Sequence, residues 1–381
     1  MRVALIDTNP RMKFYPLPLL KIGAWRKQKG DDCRLFYNSL PEKGLFDEIW
    51  LTTTFTFDVP WSKAITREAV KRAKKTRVGG VAASLLPKEF EAVGAEVHRG
   101  LLAEAEKFPP DYSFLPGPPE YSITHTSRGC VRKCGFCMVS KLEPDYKNRE
   151  NWERDIHPES EKILFYDNNW TAKKYEDQKK DIEKIKTVLR STRVKSFDFN
   201  QALDARLMTE KIADLFVRMP LDPVRFAFDG MHEDGVYQKA VEMMAARGFG
   251  KFVIYVLYNF TDTPEDLYYR LREGVRLSEK FRIRVASFPM RYQPILECDA
   301  TRDYVGQCWT RRKKKNFMAI MGKAGAKVPG VVVFEDMEGF EFWFGKDAGE
   351  FTRMLDYPNL RALINKRAGN EKWGKRTFKA G

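Results

Sequence analysis

Cysteine and histidine are scarce in this chain, and long apolar runs are missing. Among 381 residues there are six cysteines and four histidines, too few for a disulfide-stapled secreted scaffold. No apolar run approaches the length of a membrane span, so no membrane partner is expected. The start, Met1-Arg2-Val3-Ala4-Leu5-Ile6-Asp7, reads as a strand rather than a secretory leader, and a cytoplasmic, reducing setting is the expectation. No G-x-G-x-x-G follows that strand, so the dinucleotide fingerprint is absent.

Half of the few cysteines lie together. Cys130, Cys134 and Cys137 have the spacing C-x3-C-x2-C within His125-Thr126-Ser127-Arg128-Gly129-Cys130-Val131-Arg132-Lys133-Cys134-Gly135-Phe136-Cys137. This segment follows a strand-like run at 121–124, and Gly129 and Gly135 let the backbone turn tightly. Three soft thiolates at this spacing favour an iron–sulfur cluster or zinc. Structural zinc takes four protein ligands. No fourth cysteine lies nearby, and His125 and His157 lack finger-like spacing. A zinc or disulfide staple is the alternative reading. Cys33, Cys298 and Cys308 are scattered and read as buried or inert thiols.

The cysteine spacing, with Phe136 just before the third cysteine, resembles the radical S-adenosylmethionine (SAM) superfamily. The resemblance implies a [4Fe-4S] cluster on Cys130, Cys134 and Cys137. SAM would chelate the iron that no cysteine holds, and a donor such as flavodoxin or ferredoxin would supply the electron.

The expected fold class is α/β, in four stretches. Residues 1–107 alternate strands (3–6, 33–37, 48–53, 78–83, 96–97) with helices (17–27, 61–75, 88–93), which argues for a parallel sheet with covering helices. This layout resembles the Rossmann-like cobalamin-binding domain that precedes many radical SAM cores. The D-x-H-x-x-G motif of that domain is missing. Asp7-Thr8-Asn9-Pro10-Arg11 stands after the first strand, and His98, the one histidine in this stretch, reads as an edge residue. Cobalamin therefore stays open as a cofactor. Residues 108–120 carry five prolines and read as a linker without regular structure. Residues 121–300 hold six strand candidates (121–124, 163–166, 196–199, 225–228, 252–257, 282–287), with helices at 176–190, 209–217, 236–246 and 264–279. This matches the partial (βα)6 TIM-type barrel of the superfamily. Residues 301–381 read as a C-terminal accessory region, with a helix at 304–321, a strand at 330–334, a helix at 348–355 and a frayed end from 368. Its aromatic cluster of Phe340, Phe342, Trp343 and Phe344 is expected to pack on the barrel.

In parallel barrels, active sites gather at the C-terminal ends of the strands. After the second strand stand Asp167, Asn168 and Asn169, where the superfamily holds the SAM amino group; an Asx turn is the alternative. After the third come Asp204 and Arg206. Arg206 suits the SAM carboxylate, or a salt bridge to Asp204. Asp229 after the fourth strand, followed by Gly230, suits the ribose hydroxyls, with a turn as the alternative. Thr263 and Pro264 read as the N-cap and first residue of a helix. After the sixth strand, Arg291 and Tyr292 are candidate substrate contacts, with interface packing as the alternative.

The formal net charge is +15, and the last 81 residues hold 17 Lys and Arg against 9 Asp and Glu. Arg311-Arg312-Lys313-Lys314-Lys315 is the one dense cluster. A nucleic-acid partner or a solvated basic surface both fit. The leading functional expectation is a radical SAM enzyme that abstracts hydrogen, with C-methylation if cobalamin binds. An RNA-modifying radical SAM enzyme and a non-enzymatic metal-bearing nucleic-acid-binding protein are the rivals.

Overall fold

The computed structural model describes residues 1–10, 14–298, 301–324 and 330–368. Its elements begin with β1 (Arg2–Asp7), α1 (Leu17–Gln28), β2 (Asp32–Tyr37), β3 (Glu48–Thr52), α2 (Val59–Val70), β4 (Lys75–Gly79), α3 (Val81–Leu85), α4 (Pro87–Glu91), β5 (Glu96–Val97) and α5 (Ala103–Glu106). Then come β6 (Tyr121–Thr124), β7 (Ser127–Arg128), α6 (Val139–Leu142), β8 (Lys147–Asn148), β9 (Lys162–Phe165), α7 (Tyr175–Ser191), β10 (Ser196–Phe199) and α8 (Glu210–Leu215). The rest are β11 (Val224–Ala227), α9 (Val236–Ala245), β12 (Lys251–Tyr258), α10 (Pro264–Phe281), β13 (Arg284–Arg291), α11 (Arg311–Ala324), α12 (Met337–Phe344), α13 (Ala348–Asp356) and α14 (Leu360–Ala368). The class is α/β, as expected: a parallel sheet, then β/α repeats of partial-barrel type, then helices. Two compact units result. The first is Met1–Ile163 with Val188–Val194 and Pro294–Asp303, and the second is Leu164–Thr187, Lys195–Gln293 and the chain from Tyr304 on.

In the first unit, the described residues form a parallel sheet of order β2-β1-β3-β4-β5. Strands β1 and β3 are central and buried on both faces, which is why they read as near-continuous apolar runs. Val3 and Leu5 face Leu19 and Ile22 of α1 together with Trp50. Ala4 and Ile6 face the other way, against Val59, Ile65 and Ala69 of α2 and Phe90 of α4. The expected strand at 78–83 is instead Lys75–Gly79, and the preceding helix ends at Val70 rather than at 75. Pairing sets this register: Glu48 lies opposite Lys75 and Thr52 opposite Gly79. Gly80 then takes φ +94, where an added Cβ would lie 2.4 Å from the Thr53 carbonyl oxygen, so the strand cannot run on.

The proline-rich stretch holds one ordered turn, a 3-10 turn at Tyr112–Phe114. The Asp111 carboxylate accepts from the Ser113 N–H (2.9 Å). The Tyr112 hydroxyl accepts from the Ile123 N–H of β6 (2.9 Å) in a buried bond, so hydrogen bonds order what five prolines alone would leave irregular.

In the second unit, β11, β12 and β13 pair in parallel in that order. Bridges Phe197 to Leu221 and Leu203 to Phe226 join the segments around β10 and β11. The sixth strand was expected to end at 287 and runs to Arg291, because β12 extends to Tyr258 and pairs with it residue for residue, Tyr258 opposite Arg291. The helix expected from 304 begins at Arg311. The residues before it are held by Asn259, whose amide donates to Tyr304 O (3.1 Å) and accepts from Gly306 N (2.8 Å). The strand expected at 330–334 is one antiparallel bridge, Ser287 to Val332. Phe340, Trp343 and Phe344 are buried on α12, and Phe340 packs on Tyr268 of α10, as the aromatic cluster suggested. Arg11 and the end from 369, which also entered the sequence expectations, lie outside the described residues. No described helix is long and apolar enough to cross a membrane.

Candidate functional site

The cysteine loop is closed at its base by β7 and β8, which pair antiparallel, Ser127 to Asn148 and Arg128 to Lys147. Gly129 has φ +75, and a Cβ there would lie 2.2 Å from the Asp145 carbonyl oxygen. Only glycine fits this left-handed, crowded position. Its N–H donates to Glu143 Oε2 (3.0 Å). The Cys137 N–H donates to the Cys134 carbonyl (3.0 Å), and the Arg132 N–H donates to Cys130 Sγ (3.3 Å). All three cysteines are half-exposed, and none is in a disulfide. Among the described residues, no three His, Cys, Asp or Glu side chains are gathered around one point as a ligand set for a single metal ion. The donor set fits an iron–sulfur cluster: three thiols on eight residues, none in a disulfide, with a backbone N–H already on one sulfur, as cluster thiolates accept. The two candidate histidines have other surroundings. His157 accepts from the Glu159 N–H at Nδ1 (3.3 Å) and packs edge-on against Tyr112, while His125 is buried beneath the loop.

A charge network, buried at Lys21, His125 and Asp155 and half-buried at Glu106, Arg128, Glu143 and Arg149, underlies the loop. Glu106, at the end of α5, accepts from Arg128 (3.1 Å) and from Lys21 of α1 (3.4 Å), and lies 3.8 Å from His125 Nε2. Arg128 also donates to Glu143 (3.0 Å). Lys21, 1% exposed, lies 3.8 Å from Asp155. Asp155 is also buried and accepts two bonds from Arg149 (2.5 and 2.9 Å) and one from Thr124 (3.0 Å). Burial drives the Glu106 carboxyl upward, but Arg128 and Lys21 outweigh it and hold the pKa below the usual range. Burial lowers the Lys21 ammonium, against the pull of Asp155 and Glu106. Burial, with Arg128, Arg149 and Lys21 beside it, holds the His125 imidazole well below its usual range, hence neutral. Sequence reasoning missed Lys21, Glu106 and Glu143. One signal was present: Lys21 interrupts Leu17-Pro18-Leu19-Leu20-Lys21-Ile22, and a cation in an apolar helix run calls for a buried partner.

The second unit brings several strand-end candidates together. Asp167 and Asn169 are buried and Asn168 is half-buried. Asn169 makes no side-chain cap to the turn that follows; its amide donates to Asp204 Oδ2 instead (3.1 Å). Asp204 accepts from Arg206 Nε (2.7 Å), and Arg206 reaches on to Glu233 (3.1 Å). Arg206 thus has the salt bridge to Asp204 that was the alternative to a ligand role, plus a second carboxylate. Glu233 accepts from the Asp229 N–H (2.7 Å), and Asp229 Oδ1 accepts from Leu257 N (3.2 Å). Burial and the neighbouring Glu233 push the Asp229 carboxyl up to about 7. Glu233 was not foreseen, since it sits in a short turn that no periodicity marks. Arg291 lies within β13, half-buried. The Tyr292 ring packs on Phe260 and Tyr304 at 4.6 and 5.4 Å, so packing occupies that ring. Thr263 caps α10 and Pro264 opens it, as expected, and Thr263 and Asp266 also form a capping box. In the basic cluster, Lys314 donates to Tyr304 O (2.9 Å) and Lys313 pairs with Asp356 (3.6 Å).

The N-terminal sheet reverses its strand order between β1 and β3, and ligands of open α/β sheets bind at such switch points. There the Asp7 carboxylate accepts from Asn9 N (3.1 Å), and Thr8 and Ser62 share a hydroxyl bond (2.7 Å). Exposed rings of Phe55 and Trp61 follow β3. His98 is half-buried after β5.

No protein-family model matches the sequence, and no curated protein is similar to it. Solved structures do match. One is the radical S-adenosylmethionine methyltransferase TsrM from Kitasatospora setae with cobalamin and a [4Fe-4S] cluster bound. It has TM-score 0.58 and 12% identity, over 86% of this chain and 79% of that one. The chain shares the fold of this enzyme. TsrM with tryptophan and a SAM analogue, aza-SAM, matches at TM-score 0.56 and 12% identity, over 92% and 82%. Coproporphyrinogen III oxidase (HemN) from Escherichia coli, another radical SAM enzyme, matches at TM-score 0.34 and 12% identity, over 49% and 48%. At 12% identity the fold alone is what is shared.

Proposed function

We propose that the chain is a radical SAM enzyme that abstracts hydrogen from an organic substrate. The observation that carries this is the conjunction of a fold shared with a radical SAM methyltransferase and three cysteines at C-x3-C-x2-C on a glycine-locked loop. When bound, the cluster and SAM supply one-electron cleavage of the sulfonium and a 5′-deoxyadenosyl radical, the electron coming from a flavodoxin- or ferredoxin-type donor.

The chain's own residues hold and orient. Cys130, Cys134 and Cys137 are the proposed thiolate ligands, with Phe136 shielding them. Asp167, Asn168, Asn169 and Asp204 offer acceptors suited to an ammonium group. Arg206 fixes Asp204 and Glu233 from between them. Asp229 is the proposed ribose contact; it titrates near neutrality, so it can accept or donate there. Arg291 is the proposed substrate contact at the sixth strand, next to the Tyr292 ring that packs on Phe260 and Tyr304.

The reading extends to cobalamin on two observations: the switch point between β1 and β3, and the exposed rings of Phe55 and Trp61 beside it. Asn9 stands where a His ligand would, so a corrinoid would bind without one. Methyl transfer to carbon is the reaction class such a cofactor supplies. The reading is tested by iron and sulfide content after anaerobic reconstitution, with equilibrium dialysis against cobalamin. Iron and sulfide in the wild type but not in Cys134→Ala supports it, and equal metal in both contradicts it.

A further inference from the structure

We infer that Lys21 and Glu106 are positioning residues for the cysteine loop and set the local charge felt by whatever the loop holds. The inference rests on the cluster reading for its redox part and on the metal-free chain for its positioning part.

Lys21 is on α1 and Glu106 ends α5, both helices of the N-terminal sheet unit, far in sequence from Cys130. Lys21 is 1% exposed yet cationic in type, and its partners are Glu106 (3.4 Å) and Asp155 (3.8 Å). A buried ammonium is tolerated only with such partners. Glu106 joins Lys21 to Arg128 (3.1 Å), two residues before Cys130. Arg128 continues to Glu143 (3.0 Å), and Glu143 accepts from the N–H of Gly129 (3.0 Å), next to Cys130. An unbroken chain of charged hydrogen bonds therefore runs from the sheet's helices to Gly129, the residue before the first cysteine. A loop that only needed to be closed would be served by Glu143, Gly129 and the β7–β8 pairing. Bringing a buried lysine from α1 to the same point is an added expense, and it balances the charge. Lys21, Arg128 and Arg149 stand against Glu106, Glu143 and Asp155, three cations to three anions.

Opposite single substitutions then have opposite effects. Glu106→Gln leaves one uncompensated positive charge, which favours a reduced cluster. Lys21→Met leaves one uncompensated negative charge, which favours the oxidised one. The double variant is neutral again. Redox centres respond to local net charge in this way.

The test uses the full chain as wild type, Lys21→Met, Glu106→Gln and the double variant, reconstituted anaerobically. The midpoint potential is read by EPR-monitored redox titration. The expected result is a higher potential in Glu106→Gln, a lower one in Lys21→Met and a near-wild-type value in the double variant. Shifts of the same sign, or no shifts, overturn the charge-setting role. The same four proteins are alkylated metal-free with a maleimide, and modification of Cys130 is timed by mass spectrometry. Several-fold faster modification in folded single variants is expected, and an unchanged rate overturns the positioning role. If a single variant fails to fold, the double variant decides: it leaves neither charge alone and should fold, with Cys130 modified faster than in the wild type. If the wild type takes up no iron, the cluster reading fails, and the alkylation series still judges the positioning role on its own.

Discussion

Gly129→Ala isolates what the loop backbone contributes to metal capture. Its φ of +75 lies in the left-handed region, where a residue with a Cβ loses about 1–2 kcal/mol. The new Cβ would also stand 2.2 Å from the Asp145 carbonyl oxygen. That atom is backbone, so relief requires moving the β7–β8 clip, at about 1 kcal/mol or more by analogy with overpacking. Together, about 2–3 kcal/mol would favour a displaced loop. At 1.4 kcal/mol per tenfold, the competent conformation falls about 30- to 150-fold, and apparent cluster affinity falls with it. The loop lies outside the main apolar clusters of the first unit, so the fold itself should survive. The assay is release of iron to a chelator after anaerobic reconstitution, with thermal unfolding alongside. Gly117→Ala is the control, since nothing lies within 4 Å of its added Cβ. The prediction is an unfolding midpoint near wild type with far faster iron loss in Gly129→Ala alone. Retention equal to the wild type would refute the claim that this backbone geometry holds the ligands in place.

Arg149→Met should destabilise the chain by about 3–5 kcal/mol, because Asp155 would stay buried without its bidentate partner; denaturant unfolding checks this, and a loss under about 1 kcal/mol would mean that Lys21 and Thr124 suffice for Asp155. Asp229→Asn addresses pH. The folded pKa of about 7 lies above the unfolded value of 3.8, so the folded state binds the extra proton between them, and the wild type loses stability as pH rises from about 4 through about 7. Asparagine cannot lose that proton, so the thermal midpoint of the variant relative to wild type should rise between pH 5 and pH 8, and a pH-independent difference would show that Asp229 does not titrate there. Gly80→Ala should destabilise the N-terminal sheet, since the left-handed φ and the Thr53 carbonyl at 2.4 Å both exclude a Cβ; an unchanged unfolding midpoint would contradict it.

The alternation of apolar runs and helical periods made the sheet and the β/α repeats legible, because β1 and β3 are buried on both faces and α10 carries its own cap. The cysteine spacing named the candidate loop. Boundaries set by pairing were less visible: β4 begins at Lys75 because β3 needs a partner there, and β13 reaches Arg291 because Tyr258 pairs with it. The charge network was hidden for a different reason. Lys21, Glu106, Arg128 and Glu143 are ordinary charged residues spread over more than a hundred positions, and only tertiary folding brings them to one point. Glu233 was hidden likewise, visible as a partner only once Arg206 and Asp229 lie on either side of it.

The central claim is tested most directly by incubating reconstituted wild type and Cys134→Ala anaerobically with dithionite and SAM, and assaying 5′-deoxyadenosine by mass spectrometry. The account predicts 5′-deoxyadenosine from the wild type and none above background from Cys134→Ala. A wild type that binds no cluster and leaves SAM intact, with or without added cobalamin, would contradict it and return the three cysteines to a structural metal site.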